Sequence, residues 1–319
     1  MEIKNVCIVN NLYCLLIYLL LKDEKELDET FFFWGNSISN DITNKFINGV
    51  RLLSPKSFIG KLLFVLKTRY ITRSKYSFLK TAKIYGQDNM LITPPLLANR
   101  KMTVIEDGLA NYTIISPKRK FGWIKGFLIS PLMAQGTLGY STSVEKIYLT
   151  GIGIIPIQIK NKVELINLRD MWSLSSARKR SQILSTFNID IKTINDFKSV
   201  DTILLTQPIS EDKIVTEKDK IDIYKKIIGN QSVAIKPHPR ESTDYKKYFP
   251  HVKILKNGIP LELLILVGVN FKKVLTIFST SALSIPGNPE ICFTGTKIHP
   301  ALIKAFGDVR LIDNHIIVD

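Results

Sequence analysis

Ser232-Val233-Ala234-Ile235-Lys236-Pro237-His238-Pro239-Arg240 reads as a short apolar run that stops against two prolines. Proline fixes φ and removes a backbone donor, so the chain around His238 is held in one shape and the imidazole in one orientation. Working outward, the same punctuation recurs. Thr202 to Thr206, Val252 to Leu255, Val274 to Phe278 and Ile291 to Thr294 are further short apolar runs, while Thr216 to Ile228 and Pro260 to Val267 have helical character. Each connection has the length a crossover requires, which predicts a doubly wound, mainly parallel sheet with its ligand beyond the carboxyl ends of the strands.

The first half repeats the theme less cleanly. Lys4 to Asn10, Thr30 to Trp34, Thr81 to Tyr85, Met102 to Ile105 and Lys146 to Leu149 read as strands; Asn11 to Lys22, Phe58 to Tyr70 and Asp170 to Phe187 read as helices. Between Lys118 and Gly139 the pattern is irregular, with Gly122, Gly126, Gly136 and Pro131; it suits a segment near an acceptor site or an ordinary helix with a bent connection. The expectation is an α/β protein of two Rossmann-like doubly wound domains, residues 1–195 and 196–319, facing a central cleft.

Composition narrows the class. The 319 residues are 45% hydrophobic and carry a net charge of +16, with clusters at Lys118 to Lys120 and Arg178 to Arg180. Such a chain buries a full core and attracts polyanions, whether nucleic acid, an acidic lipid leaflet or a phosphorylated substrate. Cys7, Cys14 and Cys292 form neither a metal-ligand spacing nor a closed disulfide framework, which fits a cytoplasmic protein. The longest apolar run, Leu12 to Leu21, is about half of what a membrane-spanning helix needs.

Four segments at predicted carboxyl ends carry chemistry. His238, flanked by Lys236 and Arg240, can donate to a phosphate oxygen that gains charge as it leaves. Ser279-Thr280-Ser281 offers hydroxyls and free amides at a helix start, an anion site. Pro260-Leu261-Glu262 puts a carboxylate where it can accept ribose hydroxyls, though the helix dipole alone would also favour it there. Glu106-Asp107-Gly108 is common in plain turns. At a ligand-facing strand end it can instead deprotonate a hydroxyl, with Gly108 letting a substrate approach the backbone.

In this order and at these separations, Glu106-Asp107-Gly108, His238-Pro239, Pro260-x-Glu262 and Ser279-Thr280-Ser281 resemble the bacterial GT-B sialyltransferases of the lipooligosaccharide and streptococcal capsule family, and more distantly the polysialyltransferases. The resemblance spans residues 100 to 295. It implies an inverting, metal-independent transfer of sialic acid from CMP-N-acetylneuraminic acid to a terminal sugar, without cofactor. Asp107, with Glu106 beside it, would be the base, and His238 the donor to the leaving phosphate. Lys236, Pro239, Ser279, Thr280, Ser281, Glu262 and Gly258 would bind CMP, with Gly108 and Gln207 toward the acceptor. Asp212, in Gln207 to Asp212, also matches a family segment and is a rival base; docking of the acceptor on the first domain favours Asp107. The resemblance further implies a homodimer, and the positive charge suggests peripheral contact with an anionic inner leaflet.

Two other functions use some of these features. A CDP-glycerol or polyol-phosphate transferase would need the same phosphate-binding His and Ser but not the acidic pair. A basic nucleic-acid-binding protein would want aromatic residues interleaved with Lys and Arg, which the chain lacks as a pattern.

Overall fold

The computed structural model describes residues 2–55, 57–97, 100–112, 136–285, 287, 289–312 and 315–318. It divides into two units, Met1–Thr186 and Phe187–Asp319.

The first unit holds seven strands: β1 (Asn5–Val9), β2 (Thr30–Trp34), β3 (Gly49–Arg51), β4 (Lys83–Gly86), β5 (Met102–Ile105), β6 (Val144–Leu149) and β7 (Val163–Leu165). They form one parallel sheet in the order β3-β2-β1-β4-β5-β6-β7. The order reverses direction between β1 and β4, and that switch point is where a doubly wound sheet leaves room for a ligand. β1 is buried along its whole length, as a central parallel strand must be. The helix Leu12–Leu21 follows at once, started by Asn11, whose side chain accepts from the Cys14 amide at 2.6 Å. Cys14 to Leu20 are buried, so the long apolar run is a core helix, and among the described residues no helix is long and apolar enough to cross a membrane.

At the end of β4 the backbone of Gly86 takes φ +120°, and a Cβ there would sit 2.0 Å from the carbonyl oxygen of Ile8. Gly86→Ala therefore strains both the dihedral and the β1–β4 pairing. A loss of about 2–4 kcal/mol from the first unit is expected, read as an earlier midpoint in urea unfolding.

The second unit holds β8 (Thr202–Leu205), β9 (Ala234–Lys236), β10 (Lys253–Ile254), β11 (Lys273–Thr276) and β12 (Glu290–Phe293), all parallel in the order β10-β9-β8-β11-β12. Its switch point lies between β8 and β11. Leu204, Ile235 and Leu275 from the sheet pack with Ile221, Tyr224 and Ile228 of the helix Glu217–Ile228. A hairpin of β13 (Val309–Ile312) and β14 (His315–Val318) ends the chain.

Several boundaries differ from the sequence reading. The division falls after Thr186, close to the expected boundary at 195, and the helix Ile191–Lys198 belongs to the second unit: Lys253 Nζ donates to the Asp196 carbonyl at 2.5 Å and Ser199 Oγ at 2.7 Å. The helix expected over Asp170 to Phe187 is two helices, Leu168–Leu174 and Ala177–Thr186. Ser175 is extended between them, and Ser176 Oγ accepts from the Lys179 amide at 3.0 Å, starting the second. The irregular stretch from Lys118 lies outside the described residues as far as 135.

Candidate active site

Asp107 follows β5, and three amide side chains converge on its carboxylate from the ends of β4, the strand beside it, and β1, the next one along. Gln87 Nε2 donates to Oδ1 at 2.6 Å and Asn89 Nδ2 to Oδ2 at 2.7 Å, both just after β4; Asn11 Nδ2, just after β1, also donates to Oδ1. Burial pushes the Asp107 carboxyl above the usual range, and the three donors only partly oppose it. The Asp107 amide donates to Asn111 Oδ1 at 2.6 Å, which fixes the turn. A half-buried carboxylate of raised proton affinity at the switch point has the properties of a general base.

Its neighbour does other work. Glu106 is fully buried, and its Oε2 accepts from Thr150 Oγ1 at 2.8 Å, Tyr112 OH at 3.1 Å and the Thr150 amide. Alternate residues at the strand end point to opposite sides, so Glu106 is turned inward and ties β5 to the end of β6 while Asp107 faces the other way. Gly108 takes φ +76°, and nothing lies within 4 Å of where its Cβ would be. The glycine is required by the left-handed turn, and the space beside it is open.

In the second unit, His238 leaves β9 through the Pro237 and Pro239 turn. The Arg240 amide donates to His238 Nδ1 at 3.2 Å, which puts the proton of the neutral ring on Nε2. Burial and the Arg240 guanidinium hold its pKa below the ordinary imidazole value, so the ring is neutral at pH 7 and still a donor through Nε2.

The turn is clamped from below by a network with no counterpart among the sequence-predicted residues. The His238 amide donates to Glu241 Oε2 at 2.6 Å, as does Thr206 Oγ1 from the end of β8. Glu241 Oε1 accepts from Lys220 Nζ at 2.9 Å and Tyr245 OH at 2.8 Å. Lys220 is fully buried and also reaches Glu211 at 2.8 Å. Burial alone would raise Glu211, but Lys220 and the Ser242 amide hold it down to about 2. One signal was present in the sequence: Lys220, Tyr224 and Ile228, spaced by four, put a lysine on the apolar face of a helix.

Gln207, after β8, accepts from the Phe278 amide at 3.3 Å through Oε1, bridging the β8–β11 switch point, and its own amide donates to Tyr224 OH at 2.7 Å. That makes it part of the floor of the second unit. Ser279 follows β11, its amide donating to Thr276 Oγ1 at 2.9 Å, and opens the turn Thr280–Ser284; Ser281 is exposed, and the Thr280 side chain lies outside what is described. The ends of β9 and β11 flank β8, two strand spacings or about 10 Å apart. Glu262, in the first turn of Leu261–Leu266, is pushed up by burial against the pull of Lys236, while burial lowers Lys236 against Glu262 and Glu241. Gly258, at φ +101°, makes the turn before that helix.

Asp212 is committed elsewhere. Arg240 donates to both of its oxygens, at 2.8 and 3.0 Å. The bidentate pair fixes the orientation of both groups and holds Arg240 beside His238.

The model of glycosyltransferase family 52 matches residues 33–302. A protein of Haemophilus influenzae described as uncharacterized is 34% identical over 311 residues, 96% of this chain and 99% of its own length. Among solved structures, the GT-B domain of a Photobacterium damselae sialyltransferase matches with a TM-score of 0.56 at 13% identity, covering 94% of this chain and 95% of that one. An α/β-galactoside α-2,3-sialyltransferase of Photobacterium phosphoreum matches with a TM-score of 0.52 at 14% identity, covering 95% and 94%. These likenesses agree with two parallel-sheet units of the GT-B kind. The matched range runs through Asp107, His238, Glu262 and Ser279, and the chain belongs to glycosyltransferase family 52.

Proposed function

We propose that the chain is a sialyltransferase that moves N-acetylneuraminic acid from its CMP-activated form to a terminal sugar hydroxyl, galactose in lipooligosaccharide or capsular polysaccharide. The observation that carries this reading is the His238 turn: a neutral imidazole with its proton on Nε2, flanked by Lys236 and Arg240, at the carboxyl end of a nucleotide-binding type of sheet. Such a donor suits a phosphate monoester as leaving group, since it strengthens its hydrogen bond as charge develops on the departing oxygen.

In the reaction, the acceptor oxygen attacks the anomeric carbon of the sialic acid from the face opposite CMP. Asp107 takes the hydroxyl proton. The bond from that carbon to the phosphate oxygen breaks, CMP leaves with the electron pair, and the departing oxygen accepts a hydrogen bond from His238 Nε2. Ser279 and Ser281 would receive the phosphate and Glu262 the ribose. Cationic and N–H donors then supply the charge stabilisation that other transferases take from a metal, and the product has inverted configuration.

Incubation with CMP-sialic acid or CDP-glycerol, with lactose as acceptor, separates this reading from polyol-phosphate transfer. CMP release and sialylated lactose are expected from the first donor, and no turnover of the second. CMP release from CDP-glycerol alone would overturn the proposal.

The base is tested by a pair of variants. Asp107→Asn is expected to lower kcat for transfer by about 10²–10³-fold with the KM for the donor little changed. Because burial raises the Asp107 pKa, the acid limb of kcat/KM should lie above the ordinary carboxylate range, with activity lost as pH falls through it. Asp212→Asn breaks a partly exposed ion pair and should cost less than about 1 kcal/mol of stability and only a few-fold in transfer. The reverse pattern would reassign the base to Asp212.

A further inference from the structure

The helix Phe58–Lys75 has two apolar faces. One packs inward: Val65 and Thr68 are buried and Phe64 joins the sheet's core. On the opposite side Ile59, Leu63, Leu66 and Tyr70 are 71%, 60%, 55% and 76% exposed. Their spacing of four, three and four residues sets them in a single stripe along the helix. Four large apolar side chains in one line mark a surface that is covered in use.

The charges decide what covers it. Residues 58–75 contain no Asp or Glu and five basic residues, Lys61, Lys67, Arg69, Arg73 and Lys75. Helical geometry places Lys67 on one flank of the stripe and Arg69 on the other. A second copy laid along the same stripe would bring Lys67 and Arg69 against residues of their own sign, the arrangement that pairing helices avoid. An anionic lipid surface meets both requirements. Its acyl boundary takes the apolar stripe, and its head groups take the lysines and arginines that flank it.

We propose that the helix Phe58–Lys75 docks the protein in the plane of an anionic lipid leaflet through Ile59, Leu63, Leu66 and Tyr70. The docking goes beyond the transfer reaction and does not depend on it.

The experiment is cosedimentation of the full chain with phosphatidylcholine vesicles, with and without phosphatidylglycerol, alongside the variants Leu63→Ser/Leu66→Ser and Lys67→Glu. All three positions are exposed, so unchanged thermal midpoints are expected to accompany each variant. The chain should pellet with the anionic vesicles and not with the neutral ones, and salt should weaken the binding. The double serine variant should bind about tenfold more weakly, and Lys67→Glu about fivefold. Absence of binding to the anionic vesicles would overturn the proposal, as would binding that neither variant diminishes. So would a concentration-dependent dimer that Leu63→Ser/Leu66→Ser dissolves without any vesicle binding, which would make a second copy the occupant. Transfer to soluble lactose is read in parallel, so that loss of docking and failure of the proposed reaction are scored separately.

Discussion

On the proposed reaction, His238→Ala is expected to lower turnover of CMP-sialic acid by roughly 10²–10³-fold, while the second unit keeps its thermal midpoint to within a few degrees. The first half follows from the tautomer. The Arg240 amide occupies Nδ1, so Nε2 is the nitrogen that carries the proton, and no other side chain of that turn offers a neutral donor in the same place. The second half follows from where the turn is anchored. Glu241 holds the His238 backbone amide, not its ring, and alanine keeps that amide. Steady-state kinetics with the unfolding curve of the same preparation check both halves. A variant that keeps wild-type turnover would remove His238 from the reaction.

Lys220→Met is the change with the largest expected cost in stability, about 3–5 kcal/mol in the second unit. Lys220 is fully buried between Glu241 and Glu211, and methionine matches its volume but leaves both carboxylates without their counter-charge. Removing the charges together should be far milder: Lys220→Met with Glu211→Gln and Glu241→Gln is expected to recover most of the loss, because no uncompensated charge stays buried. The depressed pKa of Glu211 gives a second reading of the same network. Its contribution is present above the unfolded carboxyl value of 4.5 and is lost as pH falls toward about 2, so the second unit should weaken across that window and Lys220→Met should flatten the effect. Urea unfolding at several pH values measures both. A loss under about 1 kcal/mol for Lys220→Met would show that the network does not hold the His238 turn.

The second sheet was legible because its strands are short, apolar on both faces and separated by prolines, glycines and helix starts; all five were located within a residue or two. β3 and β7 were not, because Gly49–Arg51 and Val163–Leu165 are three-residue edge strands in which no residue is buried and there is no run to read. Asp107, His238 and Ser279 follow strands, as the reading of the sequence places them, and Glu262 stands in the first turn of a helix. What the pattern could not supply is orientation. Glu106 and Asp107 are equivalent as letters, and only the pleat, with Thr150 and Tyr112 waiting on one side and Asn11, Gln87 and Asn89 on the other, separates an anchor from a presented carboxylate. The sequence likewise does not show that Asp212 is paired with Arg240 through both of its oxygens. Apart from Tyr112, those partners lie 18 to 96 residues away along the chain, a separation that no local pattern reports.

The most direct test of the account is the anomeric configuration of the product. With CMP-sialic acid and lactose, the proton NMR spectrum of the trisaccharide should show a sialic acid whose configuration is opposite to that in the donor, formed together with one CMP per sialylated lactose. Retained configuration, or CMP released with no sialylated sugar, would contradict the proposed inverting transfer.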